Sequence, residues 1–419
     1  CPTPSRPVMI DAAEAADLLA LLARVPDPRR TPGRVHPVGY VLAVVLVAFT
    51  SPAFAHLAGA AAWAAAAPPW VLRLLGARPD PFTGQVAAPS EPTIRRIVTG
   101  IDPVTLQAAF TTWLTDRLAT RAREATGAEI ATERVSRAFG VDGKTLRGTR
   151  DGTGRSDRMR HLLGAATHDQ QVMLAQVEVP GKTSEIDYVT TVLDQLQTHG
   201  LLDSTVVLTL DALHTIRETA TAIREAGAHY LMTVKGNTPN LANAIIDRLR
   251  GTAADDLTRH THSGKGHGRT EERLLLAAAL DVIGQVHDDV TFPDAAQVAR
   301  IVRHRGDAEG QRTAKETVHV ITSLPTDLAG PADLAALVRG HWSIEALHHV
   351  RDQTFREDSS RVRTGHAPTV LAAIRNTITA AIRLAGHTSI AAARREATLD
   401  IRTAIAWFTT RTEPDTSPL

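Results

Sequence analysis

The chain is poor in several residue types, and each shortage closes off a class of protein. One cysteine, Cys1, stands among 419 residues, so no internal disulfide can form and a reducing cytoplasm is the natural setting. The formal net charge is only +1. No global basic field marks a nucleic-acid binder, and any grip on a polyanion must come from local patches. Lysine is scarcer still. It stands only at 144, 182, 235, 265 and 315, against 41 arginines. In a chain this rich in alanine and arginine, each surviving lysine hints that a compact ammonium is wanted there.

A dense block of Leu, Ile and Val is missing as well. Tyr40 to Ala67 carries no formal charge, but it is alanine-heavy and contains Pro52 and His56. It reads as two buried helices joined near "TSPAF" rather than a membrane span, and it lies too far along the chain to be a signal peptide. Hydrophobic content of 43% and charged content of 22% are those of a soluble globular protein. The length allows two or three domains with proper cores.

Residues 1–130 read as an all-helical N-terminal domain. "IDAAEAADLLALLARV" has apolar positions at helical spacing, and Pro and Gly break it in "DPRRTPGRVHP". Ser90 can cap a helix with Ile94, Ile97 and Val98 inward, which leaves Arg95 and Arg96 outward for DNA. From about 135 the pattern changes to three short strand-like runs, "RAFGVDG", "HLLGAATHD" and "QVMLAQVEV". Helix, strand ("STVVLTLDA"), helix and strand ("HYLMTVKGN") follow. That order predicts an α/β fold with an RNase H-like core, first part 131–236. Residues 237–330 read as a β-rich insertion containing a polar loop, "RHTHSGKGHGRTEER". The core resumes over 331–390, and 391–419 reads as a C-terminal helix with a disordered tail.

The chemistry gathers at strand ends. Asp142 ends the first strand and Asp211 the fourth, which are neighbours in the predicted sheet. Paired carboxylates at one edge need a counter-ion, and hard oxygen donors suit Mg²⁺ or Mn²⁺. In "HWSIEALHHVRD", Ile344, Leu347 and Phe355 make an apolar stripe, which leaves Glu345, His349 and Asp352 on another face. Glu345 is the third carboxylate. His341, Glu345, His348 and His349 offer a rival reading, a helix-borne His/Glu metalloenzyme. "VDGKT" fails as a phosphate loop because the required upstream glycine is Ala138.

The segments "DPRRTPGRVHPVGYVLAVVL", "PSEPTIRRIV", "VDGKTLRG", "GKTSEI", "LDALHT", "VKGN", "HGRTEER", "RGHWSIEALHHVRDQTFREDSSRVRTG" and "AAIRNTI" stand in this order. Together they resemble bacterial insertion-sequence transposases of the DDE type, the ISAs group with its H-repeat-associated relatives. The resemblance implies a catalytic, metal-holding triad of Asp142, Asp211 and Glu345. It also implies two Mg²⁺ or Mn²⁺ ions, cleavage of double-stranded DNA at transposon ends and strand transfer into target DNA. A homodimer on paired ends is implied too, in the cytoplasm with the nucleoid and apart from any membrane. A domesticated, non-cleaving relative is the alternative within the family. Lys144, Arg147, Lys235, Asn237, His341, Trp342, Arg361 and Arg363 are the expected DNA contacts beside the triad. Related DDE families place Tyr, Arg and Lys around the glutamate, where this chain has Val338, His341 and Asp352.

Overall fold

The computed structural model describes residues 20–30, 34–125, 137–150, 159–181, 185–266, 269–307 and 312–408. Most of the helix expected over 10–25 therefore lies outside the described residues. An uncharged apolar run needs cover on all sides, and α1 (Val38–Thr50) has it: Gly39 through Thr50 are all buried. The helix stops where Ser51 turns extended ahead of Pro52. α2 (Leu57–Ala66) then opens on His56, whose Nδ1 accepts from the Gly59 N–H at 2.9 Å. Tyr40–Ala67 is thus two helices. None of the helices among the described residues is long and apolar enough to cross a membrane. α3 (Pro69–Leu74), α4 (Glu91–Gly100) and α5 (Pro103–Ala125) follow. In α4 the apolar trio is buried while Arg95 and Arg96 are exposed, as the periodicity requires.

β1 (Arg137–Leu146), β2 (Arg160–Thr167) and β3 (Met173–Val179) form an antiparallel meander. α6 (Val189–Thr198) leads to β4 (Val206–Leu210), which lies parallel to β1; α7 (Arg217–Glu225) leads to β5 (His229–Val234), parallel to β4. All five residues of β4 are buried, as a central parallel strand covered on both faces must be.

The stretch after β5 does not fold apart. α8 (Pro239–Gly251) precedes β6 (Thr258–Gly266) and β7 (Arg269–Ala279), then a small hairpin of β8 (Gln285–His287) and β9 (Val290–Thr291). β10 (Gln297–Gly306) and β11 (Arg312–Thr322) complete it, with β11 pairing antiparallel to β5. The result is one nine-stranded sheet, ordered β3-β2-β1-β4-β5-β11-β10-β7-β6. Without β11, the edge of β5 would present unpaired N–H and C=O groups. "RHTHSGKGHGRTEER" is mostly strand rather than loop, since its two halves pair as β6 and β7. Its polarity misled the sequence reading, because polar side chains on an open sheet face look like a loop.

α9 (Pro331–Gly340), α10 (Trp342–Gln353), α11 (Ala367–Leu384), α12 (Ile390–Leu399) and α13 (Ile401–Ala406) finish the chain. α11 is buried from Ala367 to Ile382, packed between β3 and the helices α1, α4 and α5. Asn376 donates to Gln176 Oε1 across that contact at 2.9 Å. The expected single C-terminal helix is split at Asp400, which caps α13 by accepting from the Arg402 N–H. Residues 409–419, expected as a tail, lie outside the described residues. The architecture is a mixed α/β fold with a large mixed sheet and many helices.

Arg394 of α12 joins the two ends of the chain. It is 1% exposed and donates to the carbonyls of Phe49 (3.0 Å) and Thr50 (3.1 Å), orphan groups at the end of α1, and to that of Thr354 at the end of α10. Its guanidinium lies 4.0 Å from the Phe355 ring centroid. Arg394→Ala leaves those buried carbonyls unpaired and should destabilise the protein by about 3 kcal/mol. Denaturant unfolding of the two proteins side by side measures it.

Candidate active site

The last rung of the parallel β1/β4 pair is Val141–Leu210. The next residue on each side is an aspartate, so Asp142 and Asp211 stand side by side where the parallel pairing stops, Asp211 just past β4 but Asp142 within β1 rather than at its end as the sequence predicts. An α/β sheet opens its crevice there. Beyond this point the strands part. β1 continues against β2 as far as Leu146, whereas β4 ends and Asp211 starts a single 3-10 turn, Ala212–His214, by accepting from the Leu213 N–H at 3.0 Å. Asn237, just past β5, donates to the Ala212 carbonyl at 2.6 Å and ties that turn to the neighbouring strand.

Glu345 reaches the same edge on α10. Ile344 and Leu347 pack with Ala166 and Met173 on the sheet, and Phe355 is buried too. The helix lies close over β1 at Gly140, where a Cβ would make ordinary contacts with Ile344 Cγ2 at 3.4 Å and the His341 carbonyl oxygen at 3.5 Å. Gly340 has less room, for a Cβ would sit 2.2 Å from His168 Nδ1. With its apolar stripe down, α10 carries Glu345 in its first turn, where a helix terminus favours an anion. Partial burial raises the Glu345 carboxyl above its ordinary range; the charges of Asp142 and Asp211 raise it further, and Lys235 opposes them. Three carboxylates from three distant segments, and one ammonium, thus share one electrostatic field.

Asp142 behaves oppositely. Burial alone would push it up, but the contact with His348, its charge and the Gly143 N–H hold the carboxyl below its ordinary range. His348 Nδ1 is 3.5 Å from Asp142 Oδ2, a long and therefore weak contact. Burial keeps His348 below its own ordinary value against the pull of Asp142. His341 is likewise lowered by burial. Its Nδ1 lies 3.0 Å from Thr209 Oγ1, itself 2.8 Å from His168 Nε2. His168 falls to about 4, through burial first and then the charge of His341. The helix histidines therefore turn to separate partners, and His349 is exposed. Among the described residues no group of three or more His, Cys, Asp or Glu encloses a cation ready-made. The donor set at the strand edge is nevertheless all oxygen and all anionic, which is what a hard divalent ion takes.

The cations are distributed unevenly. Lys144 is buried, 6% exposed, with Nζ at 2.7 Å from both carboxylate oxygens of Asp352 and 4.0 Å from Asp358. β1 thus sets an ammonium against α10. Lys144 therefore faces Asp352, not the solvent where a phosphate would lie. Lys235 is exposed at the end of β5. Arg147 is exposed, with Nε 3.6 Å from Asp358. Arg361 and Arg363 are exposed on the loop after α10, and Arg363 donates to the Gly148 carbonyl at 3.3 Å. Gly148 has to be glycine here, because a Cβ would lie 2.0 Å from the Ser360 carbonyl oxygen. Arg95 pairs with Glu91 on α4, and Arg96 Nε donates to the Pro92 carbonyl at 3.3 Å. Trp342 is 50% exposed with Arg303 at 5.8 Å from its ring centroid. Lys182 lies outside the described residues.

Sequence reading missed two buried clusters. Glu357 sits between Arg351 of α10 at 2.7 Å and Arg375 of α11 at 2.8 Å, all three at most 3% exposed. Glu185 sits between His161 Nε2 at 2.6 Å and His214 Nε2 at 3.3 Å. That cluster presses on Gly143, where a Cβ would meet Glu185 and His161 atoms at 2.5 Å. The segments "REDSSRVRTG" and "GKTSEI" held the signal, but charge on a loop reads as solvated until its partners are known.

Burial would raise Glu357, yet the two arginines hold it down to about 2. Its contribution to stability is complete above the ordinary carboxylate range and is lost as pH falls through about 4 towards 2. Glu357→Gln leaves two buried guanidiniums without their carboxylate, so at pH 7 it should cost about 3–5 kcal/mol. The difference from wild type should shrink below pH 4 in chemical denaturation across that range.

Known proteins place this architecture. The transposase DDE domain family matches residues 134–380, and the family described as DDE_Tnp_1-associated matches residues 19–114. The transposase candidate YncI of Escherichia coli O157:H7 is 27% identical over 292 residues, 68% of this chain and 69% of its own. The H repeat-associated transposase candidate YhhI of Escherichia coli K12 is 26% identical over 293 residues, 69% of this chain and 71% of its own. A cryo-EM structure of a piggyBac transposase synaptic complex with hairpin DNA aligns over 97% of this chain and 84% of that one, at TM-score 0.38 and 11% identity. The domain match alone covers more than half of the sequence, and with it the protein belongs to the DDE transposase family.

Proposed function

We propose that Asp142, Asp211 and Glu345 are the catalytic triad of this transposase, acting on the phosphodiester backbone of double-stranded DNA at transposon ends and then at the target. The observation that carries the reading is the joint effect of Asp142 and Asp211 on Glu345, across a strand edge that the β1/β4 register defines. Strand order β3-β2-β1-β4-β5 with helical crossovers supports reading that part of the sheet as an RNase H-like core, with β6–β11 an insertion joined to its edge. The boundaries 1–130, 131–236, 237–330, 331–390 and 391–419 remain our division of the chain.

The triad would hold Mg²⁺ or Mn²⁺, two ions in the family's manner, which when bound supply charge neutralisation to the attacking and leaving oxygens of the phosphodiester. The protein's own residues do the rest. Glu345, on the first turn of α10, would complete the set with the two aspartates whose charges already act on it. Asp142 is held ionised, and His348 and Gly143 set its orientation. Asn237 fixes the turn that carries Asp211. Lys235 faces the carboxylate cluster and is placed to meet a phosphate there. Arg147, Arg361 and Arg363 offer exposed guanidiniums past the end of β1, and Trp342 an exposed ring on α10 for an unpaired base. Lys144, engaged by Asp352, positions α10 against β1. Hydrolysis at the element end leaves a 3′-hydroxyl, and attack of that hydroxyl on a target phosphodiester expels a new 3′-hydroxyl without any protein-linked intermediate. Two ends call for two such sites, hence a homodimer on the nucleoid.

The test uses a labelled duplex spanning the borders of the gene, with Mg²⁺ or Mn²⁺ added. Asp142→Asn, Asp211→Asn and Glu345→Gln should each lower cleavage by roughly 10³-fold or more, ~4 kcal/mol of transition-state stabilisation, while duplex binding persists. Cleavage at wild-type rate by any of the three would remove that residue from the triad.

A further inference from the structure

A basic groove runs from the turn after β1 to the N-terminal helices, and its far half includes Arg356 and Arg395. It begins three residues past Lys144. Arg147, Gly148, Ser359, Arg361 and Arg363 line a first hollow of about 820 Å³, together with the acidic Asp358 that pairs with Arg147. Ser359, Arg361 and Arg363 also line a second of about 1370 Å³, so the two adjoin across these residues. The second is closed by the turn after α1 and His56 on one side and by α12 on the other. Arg95, Arg356 and Arg395 join its lining, and among the described residues that line it none is acidic.

The loop that displays these arginines is held rigid. Glu357 is locked between Arg351 and Arg375. The carbonyl of Thr354 is bound by Arg394, which also covers Phe355. Between those anchors Arg356 stands at φ 52°, ψ 41°, the left-handed region that favours glycine. A guanidinium is thus presented at a place where local backbone preference alone would have selected glycine or asparagine. On the opposite wall Arg395 is exposed beside buried Arg394, so the residue that fastens α12 to α1 also fixes the direction of its neighbour.

We propose that this groove carries the phosphate backbone of the DNA away from the scissile position. Arg356 and Arg395 would grip it alongside Arg361 and Arg363, and Arg95 would contact it from the N-terminal helical part. The inference rests on the transposase reading of the carboxylate site and adds the path of the flanking strand. Exposed arginines on a fixed frame suit bidentate phosphate contacts. Arg96 does not line the groove, so the paired arginines of α4 divide, with Arg95 alone on the path.

The experiment measures binding of the full chain to a labelled duplex of about three helical turns, by fluorescence anisotropy between about 50 and 200 mM salt. The combined variant Arg356→Ala, Arg361→Ala, Arg395→Ala should make the slope of log affinity against log salt shallower by about three, close to one per cation removed. Arg250→Ala, on α8 away from the groove, should leave the slope unchanged. Arg395→Gln, a single exposed change, tests the same point without risk to folding and should reduce the slope by about one. An unchanged slope in both groove variants, with the duplex still bound, would overturn the path and point to an acidic protein as the occupant. Glu345→Gln measured in parallel keeps the wild-type slope, so loss of cleavage and loss of the groove are read separately. A wild-type chain that binds no duplex would overturn the transposase reading, and the groove with it.

Discussion

One register sets two aspartates beside each other at the edge of the parallel pairing. Because β1 and β4 pair in parallel up to Val141 and Leu210, the residue that follows on each strand falls at the same height, and both are aspartate. A shift of one residue would turn one of them to the opposite face of the sheet. The glycines serve this placement. Gly340 leaves room for His168 just before α10, Gly143 leaves space for Glu185 and His161, and Gly148 lets the loop after α10 settle on the turn after β1.

Around this edge the protein holds charge in two ways. Charges in the framework are paired and buried: Glu357 with two arginines, Glu185 between two histidines, Lys144 with Asp352. Each would be costly if left single, so these pairs fix α10, the loop after it and the Asp211 turn. At the site itself the like charges stay close without a counter-charge enclosed among them, and Glu345 responds with a raised carboxyl. A protein tolerates that arrangement where a cation or a substrate phosphate is to be met. The contrast between satisfied framework and unsatisfied edge divides the carboxylates into two groups more sharply than residue type does.

Much of this was legible in the chain. Strand and helix order, the two short helices in place of a membrane span and the apolar stripe of α10 all follow from periodicity and position. The insertion was legible as β-rich, but not as a continuation of the main sheet. Joining β11 to β5 is a pairing between segments some ninety residues apart, which no local pattern encodes. The Lys144 reading shows the same limit from the side of charge. Scarcity of lysine correctly marked the position as special, yet its partner is Asp352, 208 positions away.

Sequence by itself determined the element types and the inward faces, since apolar spacing fixes what must be buried. It also marked Asp211 as the acid that follows β4, whereas β1 runs past Asp142 to Leu146. Only the tertiary structure decided which charges satisfy one another and which are left facing the crevice, because Coulomb attraction and desolvation depend on distance in space and on cover, and neither is written along the chain.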